Sequence, residues 1–391
     1  MKTIYMLFII SFTLFSFSCR EKKMDFSTFL SELASISDNM KKSEFINAYM
    51  QQQTIPVVER DSIHFLYRGQ GQQVAIPGEM NRWDPSQSRM ERLRGTDLFF
   101  RSERLSPEGR LEYKIWVDSS WMLDPLNKRI APGGFGENSD VWMSAYAPPT
   151  EIEFDPNIPH GSIDTLYIES RHLNRTHPVF VYRPVNTTSM KELPSVYVLD
   201  GQDYLTFARM NNILDNLIAA RKIVPVTAIF IEPRTDPNNF HSNHRMTDYA
   251  ASDTFIQFLE KELIPFIASR YPVDGKISRR LIMGESMGGL MATFTVLKQP
   301  DLFVNAAAQS PAFLQADGAV SKLLKQLTTT NVRVWIDTGT INDTQTEAAA
   351  ISALLWQKGA TVQFSKYPEG HNWSNWRARI KNILEYFFPM E

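Results

Sequence analysis

A serine lies between glycines at the end of an apolar run in RRLIMGESMGGLMATF, residues 279–294. The segment GESMG (284–288) has the spacing of a nucleophile elbow, in which a strand ends, reverses and starts a helix within a few residues. Small residues two positions on either side of the serine let the strand and the helix approach closely. The pattern therefore predicts that Ser286 is a nucleophile; a small residue in a glycine-rich loop is the alternative.

A serine hydroxyl becomes a good nucleophile when a base removes its proton and an acid orients that base. With a nucleophile elbow the chain order is serine, acid, histidine. Of the seven histidines only His371 follows Ser286. It lies in PEGHNW (368–373), between the last strand-like run and the final helix, where a loop can place the imidazole over the sheet. A surface loop histidine is the alternative.

The acid must lie between Ser286 and His371, where the chain has six carboxylates. Two of them belong to VRVWIDTGTIND (332–343), a strand end and loop that should face the site. Asp343 follows a turn at Gly339 and has room to curl back, so it is favoured. Asp337, at the strand end, stays open, and either carboxylate could instead cap the helix that begins near Glu347.

An oxyanion hole requires two backbone N–H groups directed at the developing charge. Met287, directly after the nucleophile, is predicted to supply one. Gln202 is predicted to supply the other, because Gly201 lets the chain turn sharply after SVYVLD (195–200). A plain β-turn is the alternative at this position.

The elements that would position these residues begin near residue 163. Strand-like runs alternate there with helical patterns; the runs are SVYVLD, VTAIFIE, RRLIMGE, VRVWID and TVQFSKYP. Alternation of this kind predicts an α/β domain with a mostly parallel sheet covered on both faces. Short alternating runs with turn signals over residues 62–146 predict a small antiparallel, immunoglobulin-like β-sandwich before it.

The chain of 391 residues is accordingly divided into four parts. They are a lipoprotein-type signal peptide (1–19), a helical lead segment (20–55), the β-sandwich (56–150) and the α/β domain (151–391). Lys2, the apolar stretch after it and Ser18-Cys19 resemble a bacterial lipoprotein signal with Cys19 as the lipidated residue. Ordinary cleavage and an uncut anchor helix are the alternatives.

These features predict an exported protein, lipid-anchored at the bacterial outer membrane or periplasmic. The lipid anchor would be its sole attachment to a membrane. A net charge of −2 gives no electrostatic reason to expect nucleic acid as a partner.

Residues 163–391 resemble the putative-esterase family of α/β-hydrolases, which includes feruloyl and acetyl xylan esterases, enterochelin esterases and mycolyltransferases of the antigen 85 group. The matching pieces are VLDGQDY, FIQFLEKELIPFIASRYPVD, GESMGG, GTIND and EGHNWSNWR. The resemblance implies an α/β-hydrolase fold, a Ser286–His371–Asp343 triad and oxyanion amides at Gln202 and Met287.

We also predict substrate contacts, made by Gly201, Glu285, Arg245 and Trp373. Arg245 belongs to the loop 232–249, where its guanidinium and that of Arg234 could hold a carboxylate or a phenolate. Solvated loop arginines are the alternative.

Residues 62–146 resemble the glycogen-binding-like modules of branching enzymes and of some esterases. The matching text is VAIPGEMNRWDP, LEYKIWVDSSWMLDPLN and GFGENSDVW. The family's sugar-binding positions would be occupied by Trp83, Lys114, Trp121 and Asn138. Core tryptophans in a module that only packs beside the enzyme are the alternative.

The resulting hypothesis is a serine carboxylesterase that hydrolyses feruloyl or acetyl esters of polysaccharide through an acyl-enzyme, with no metal or cofactor. Hydrolysis of a small-molecule siderophore trilactone of the enterochelin type is the first alternative. A catalytically inactive glycan-binding lipoprotein is the alternative from another class, and acyl transfer to a sugar stays open.

Overall fold

The computed structural model describes residues 23–185 and 192–390. The predicted signal segment and Cys19 lie outside these residues. The chain forms two compact units, one up to Thr54 and one from Ile55 onward. Among the described residues, no helix combines the length and apolarity needed to cross a bilayer.

The first unit contains two helices, α1 (Phe26–Ser35) and α2 (Asn39–Gln52). Each begins at an aspartate whose side chain accepts a backbone N–H of the first turn, Asp25 for α1 and Asp38 for α2. Phe29 of α1 stacks on Tyr49 of α2 with ring centroids 3.9 Å apart. The two amphipathic patterns of the lead segment therefore pack against each other.

The second unit begins with ten short strands in three antiparallel sheets. The strands are β1 (Val57–Glu59), β2 (Ser62–Arg68), β3 (Val74–Ala75), β4 (Glu91–Arg92), β5 (Leu98–Arg104), β6 (Arg110–Tyr113), β7 (Ile115–Val117), β8 (Ser120–Met122), β9 (Ile130–Ala131) and β10 (Asn138–Trp142). The sheet orders are β1-β2-β5-β4, β3-β7-β8 and β6-β10-β9. Alternate residues of β2, such as Ile63 and Phe65, enter a shared core with Leu111 and Tyr113 of β6. We call this region, residues 57–142, the sandwich.

A mostly parallel sheet of eight strands follows. The strands are β11 (Ser162–Ser170), β12 (Arg175–Arg183), β13 (Ser195–Leu199), β14 (Thr227–Ile231), β15 (Arg280–Glu285), β16 (Asn305–Gln309), β17 (Arg333–Gly339) and β18 (Thr361–Tyr367). Their order is β11-β12-β14-β13-β15-β16-β17-β18. β12 is antiparallel to both of its neighbours, and the pairs from β14 to β18 are parallel. The predicted α/β sheet is confirmed.

Helices cover both faces of this sheet. They are α3 (Gly201–Thr206), α4 (Met210–Ala219), α5 (Arg245–Asp248), α6 (Asp253–Phe258), α7 (Ile264–Ala268), α8 (Met287–Lys298), α9 (Gln315–Gln326), α10 (Gln345–Gln357) and α11 (Trp373–Phe387), with a π-helical turn joining α6 to α7. Along β13, Val196 and Val198 pack in the core that holds α4 and α11. Tyr197 and Leu199 pack in the opposite core with α6 and α8. The continuous apolar strand is thus explained by burial on both sides.

The parallel strands deliver the predicted site residues to one edge of the sheet. β13 is followed by Gly201, β15 by Ser286, β17 by Asp343 and β18 by His371. Loops after the carboxyl ends of parallel strands meet at the same edge, which is where such sheets bind ligands.

Candidate active site

Ser286 lies in a strained turn between β15 and α8, with φ 54° and ψ −113°. Its N–H donates to the Gln309 carbonyl of β16 at 2.8 Å, and its carbonyl accepts the Ala312 N–H at 2.9 Å. A Cβ on Gly284 would lie 2.7 Å from the carbonyl carbon of Gly288. The turn therefore needs glycine at position 284 for strand and helix to approach, as the elbow pattern predicts.

His371 and Asp343 are in direct contact, with Nδ1 of the histidine 2.7 Å from Oδ1 of the aspartate. The Asp343 side chain is fully buried, whereas 36% of the His371 side chain is exposed. Asp337 is turned away, and its Oδ2 accepts the Trp335 indole N–H at 2.7 Å. Of the two carboxylates left open by the sequence, the geometry favours Asp343 as the partner of the imidazole.

Two further donors fix Oδ2 of the Asp343 carboxylate. Its Oδ2 accepts the Ser310 hydroxyl and the Gly339 N–H, each at 2.6 Å. Burial by itself would raise the pKa of Asp343, but the hydrogen bond and charge of His371, with these two donors, outweigh burial and hold the pKa below its usual value. Asp343 is therefore an ionised partner for the imidazole at neutral pH.

Sequence reasoning missed the supporting role of Ser310 and Trp376. The Trp376 indole N–H donates to Ser310 Oγ at 2.9 Å, and its ring lies edge-on to His371 with centroids 5.0 Å apart. Trp376 belongs to the quoted EGHNWSNWR motif, whereas Ser310 follows the alanine-rich strand β16, which carries no periodic signal.

Ser286 and His371 both line one cavity of about 830 Å³. In the described part of the chain, no hydrogen bond joins the serine hydroxyl to the imidazole. Such contacts are often long in the absence of substrate and tighten in the complex. Because Nδ1 of His371 is engaged by Asp343, Nε2 is the nitrogen left for the serine.

The two predicted oxyanion amides differ in their surroundings. Met287 is the first residue of α8. The Leu290 N–H donates the first intrahelical hydrogen bond of this helix, so the Met287 N–H has no acceptor within the helix. The Gln202 N–H donates to Glu232 Oε2 at 2.9 Å. In this conformation Gln202 is therefore not available to a substrate oxygen, contrary to expectation. The role of Met287 stays a prediction.

Of the four residues predicted to contact substrate, three line the cavity and one does not. Glu285, Arg245 and Trp373 line the cavity. Gly201 is buried behind it, where a Cβ would lie 2.6 Å from the carbonyl carbon of Phe230, so it serves close packing instead.

Both loop arginines are cavity residues that are already ion-paired, contrary to the idea of a free guanidinium. Arg245 donates to Asp200 Oδ1 at 2.8 Å and to Glu285 Oε1 at 2.6 Å. Arg234 donates to Asp203 Oδ1 at 2.7 Å and also pairs with Glu232. Their charge is thus largely compensated before a substrate arrives.

The four predicted sugar-binding residues of the sandwich, Trp83, Lys114, Trp121 and Asn138, line the same cavity as Ser286. The sequence did not place these residues relative to the catalytic centre, whereas the structure brings them to the cavity that Ser286 lines. The sandwich forms one wall of the catalytic cavity, and nearly half (48%) of Trp121 is exposed there.

Comparison with known proteins matches residues 170–387 to the model of a family described as "Putative esterase". The Iron(III) enterobactin esterase of Escherichia coli O6:H1 is 22% identical over 352 residues, covering 81% of this chain and 86% of its own length. An endo-1,4-beta-xylanase/feruloyl esterase of Xylanibacter ruminicola is 26% identical over 205 residues, covering 49% of this chain and 27% of its own length.

Among solved structures, the ferric enterobactin esterase of Salmonella typhimurium superposes with a TM-score of 0.74 at 19% identity. The match covers 87% of this chain and 98% of that one. The likeness confirms the α/β-hydrolase fold, preceded by a mostly β region.

Proposed function

This chain belongs to the putative esterase family and is a carboxylic ester hydrolase, and on that premise we propose that it is a serine esterase that forms its acyl-enzyme on Ser286. The observation that carries the proposal is the 2.7 Å contact between His371 Nδ1 and Asp343, at a cavity that Ser286 also lines. This arrangement supplies a nucleophile, a base and an acid that orients the base.

In the proposed reaction Ser286 Oγ attacks the ester carbonyl while His371 Nε2 takes the hydroxyl proton. The Met287 N–H, at the positive end of α8, stabilises the oxyanion of the tetrahedral intermediate. His371 then gives the proton to the departing alcohol, and the acyl group stays on Ser286. Water, deprotonated by His371, attacks the acyl-enzyme; the bond between the acyl carbon and Ser286 Oγ breaks, and His371 returns the proton to Oγ as the acid is released. Asp343 keeps the imidazole in the tautomer that both steps require.

We propose an aryl-substituted small-molecule ester as substrate, with an enterobactin-type trilactone as the leading candidate. One observation supports this class over a plain acetyl ester. Aromatic side chains from both domains, Trp83 and Trp121 of the sandwich and Phe207 and Trp373 of the α/β domain, line the cavity. Rings of this kind stack on flat aromatic groups.

The extent of the similarities also supports the trilactone. The enterobactin esterase matches cover 81% of this chain by sequence and 87% by structure. The relative with feruloyl esterase in its name matches about half of the chain. Feruloyl esters of polysaccharide, the first hypothesis from the sequence, are therefore the second candidate.

The test is a comparison of hydrolysis rates on a catechol trilactone, methyl ferulate and acetylated xylan. Ser286→Ala is expected to lower turnover roughly 10³- to 10⁶-fold on whichever substrate is cleaved. Ser269→Ala, at an exposed serine of the same domain, is the matched control and keeps full turnover. Hydrolysis that survives in Ser286→Ala contradicts the serine mechanism. Absence of hydrolysis and of active-site labelling in the parent supports the inactive glycan-binding alternative.

We also propose export and anchoring through a lipid on Cys19. The support is the basic residue, apolar stretch and cysteine at the start of the chain. Fractionation of cells grown with a labelled fatty acid tests this. The parent is expected in the membrane fraction with label attached, and Cys19→Ala in the soluble fraction without it. An unlabelled parent contradicts the anchor.

A further inference from the structure

The two loops that carry the acid and the base both rest on the sandwich. We call residues 339–343 the acid loop and residues 368–372 the base loop. Ile341 of the acid loop packs against the sandwich core. In the base loop the Pro368 carbonyl accepts the Arg110 N–H at 3.1 Å. The sandwich is thus in contact with the segments that must keep Asp343 and His371 together.

One sandwich residue, Glu79, binds both loops at once. Its backbone carbonyl accepts the Asn342 side-chain N–H at 2.6 Å, directly beside Asp343. Its side-chain Oε1 accepts the Asn372 side-chain N–H at 2.5 Å, directly beside His371. A single residue therefore links the neighbour of the acid to the neighbour of the base.

The Glu79 carboxylate is wedged against the base loop. A Cβ on Gly370 would lie 2.2 Å from Glu79 Oε1, so the glycine leaves the space that the carboxylate occupies. Only 6% of Glu79 is exposed, and its Oε2 accepts the Glu112 N–H at 2.9 Å. The side chain has no room to follow a displaced loop without losing one of these bonds.

The amide of Asn372 is held from its other side by Arg110. The fully buried Arg110 guanidinium donates from Nη1 to Asn372 Oδ1 at 3.2 Å and pairs with Glu112 and Asp140, each at 2.9 Å. Asn372 Oδ1 also accepts the Asn375 N–H at 2.9 Å as the N-cap of α11. The amide orientation is therefore fixed, with its N–H₂ group directed at Glu79.

We propose that Glu79 is a positioning residue for ester hydrolysis, which holds the acid loop and the base loop at the separation that the Asp343–His371 pair requires. The inference rests on the serine mechanism proposed above. It makes the sandwich part of the catalytic apparatus. Displacement of a catalytic group by about 1 Å can cost roughly 100-fold in rate, so loosening this link is expected to lower kcat strongly.

The primary test is Glu79→Gln, which conserves size and replaces one of two hydrogen-bond-accepting oxygens with an amide nitrogen that cannot accept from the Glu112 N–H or the Asn372 amide. We expect kcat to fall about 10- to 100-fold, with KM changed less than about threefold, because the defect lies in orientation of the base. Labelling of Ser286 by a fluorophosphonate is expected to slow by the same factor.

Asp124→Asn is the matched control. Asp124 is a buried carboxylate of the same region that accepts the Tyr113 hydroxyl at 2.6 Å. If Glu79 had a purely structural role, Glu79→Gln and Asp124→Asn would both lower the melting temperature, and the folded forms of both would keep the kcat of the parent. We expect Asp124→Asn to keep kcat within about twofold of the parent whatever its melting temperature.

Asn342→Gly removes the hydrogen bond between the Asn342 side chain and the Glu79 carbonyl. Position 342 is exposed and has φ 48°, a conformation that glycine adopts readily. We expect a smaller loss of kcat, about 3- to 10-fold, at unchanged KM, and this variant decides the matter if Glu79→Gln does not fold. Full kcat in the folded variants, with Ser286→Ala inactive, overturns the role of Glu79 alone. An active Ser286→Ala instead overturns the serine mechanism beneath it.

Discussion

Replacement of Asp343 by asparagine perturbs the base without changing the shape of the site. The carboxylate accepts four hydrogen bonds, from His371 Nδ1, Ser310 Oγ and the N–H groups of Gly339 and Thr344. An amide supplies one oxygen and one N–H₂ group, so at least one of these donors faces another donor. If that donor is the imidazole, the histidine is driven into the tautomer that cannot accept the serine proton.

The expected size of the effect follows from this change of tautomer. Loss of the acid's orienting role lowers kcat by about 10⁴-fold in a serine triad, which corresponds to about 5.4 kcal/mol at about 1.36 kcal/mol per tenfold. KM should change little, because the Asp343 side chain is fully buried behind the imidazole. The loss is therefore expected almost entirely in kcat.

Steady-state hydrolysis of the best ester at pH 7 to 8 measures this loss, with Asp337→Asn as the matched control. Asp337 is equally buried but is bonded to the Trp335 indole, so its replacement should leave kcat within a few fold. Loss of turnover in Asp337→Asn with retention in Asp343→Asn would refute the assignment of the acid.

Three other predictions concern the turn, the cavity wall and pH. Gly284→Ala should lose turnover and about 1–3 kcal/mol of unfolding free energy in urea denaturation, because its Cβ would lie 2.7 Å from Gly288. Gly275→Ala is the control and should match the parent in both measurements, because a Cβ at position 275 would have no atom within 4 Å. Trp121→Ala should raise KM for an aryl ester about 2- to 10-fold and leave KM for an acetyl ester unchanged; equal effects would exclude stacking on its exposed ring. Burial raises the pKa of Asp337 to about 7, so between about pH 4 and 7 the folded protein holds a proton that the unfolded chain has released. The free energy of unfolding therefore falls as the pH rises from about 4 to 7. In urea denaturation over this range, Asp337→Asn should gain stability relative to the parent with rising pH, and a constant difference would contradict the shift.

The elements with strong patterns could be predicted from the sequence. The apolar runs that became β13, β14, β15 and β17 are buried on both faces, and all four were identified as strands from the sequence alone. β18, whose residues are mostly half-buried, was identified as well. β16, NAAAQ at 305–309, was missed, because its alanines carry little strand signal. Their small size fits the close approach of α8, where a Cβ on Gly289 would lie 3.3 Å from Ala308 Cα.

The candidate catalytic residues were predictable because the order of the triad along the chain and the positions of the strand ends limit which residues can take each role. Ser286, Asp343 and His371 follow strands that end at one edge of the sheet, and elimination left few alternatives. The environment of each was not predictable. The Glu232 carboxylate that engages the Gln202 N–H lies after a different strand, and that contact exists only once β13 and β14 are paired.

The location of the sandwich residues depended on how the sandwich packs on the α/β domain, which no local pattern encodes. The resemblance implied sugar binding by Trp83 and Trp121, but only the structure shows that both residues line the cavity of Ser286. Glu79 lay within a quoted motif but carried no chemical signal of its own. Its importance emerges from contacts with Asn342 and Asn372, which are far away in sequence.

Peptide mapping of the protein after reaction with a fluorophosphonate tests the central claim most directly, since the probe bonds only to an activated nucleophile. We predict one phosphonylated residue, Ser286, with parallel loss of ester hydrolysis and with labelling slowed in Asp343→Asn. Ester hydrolysis that persists with Ser286 unmodified, or a stoichiometric adduct on another residue, would contradict the account.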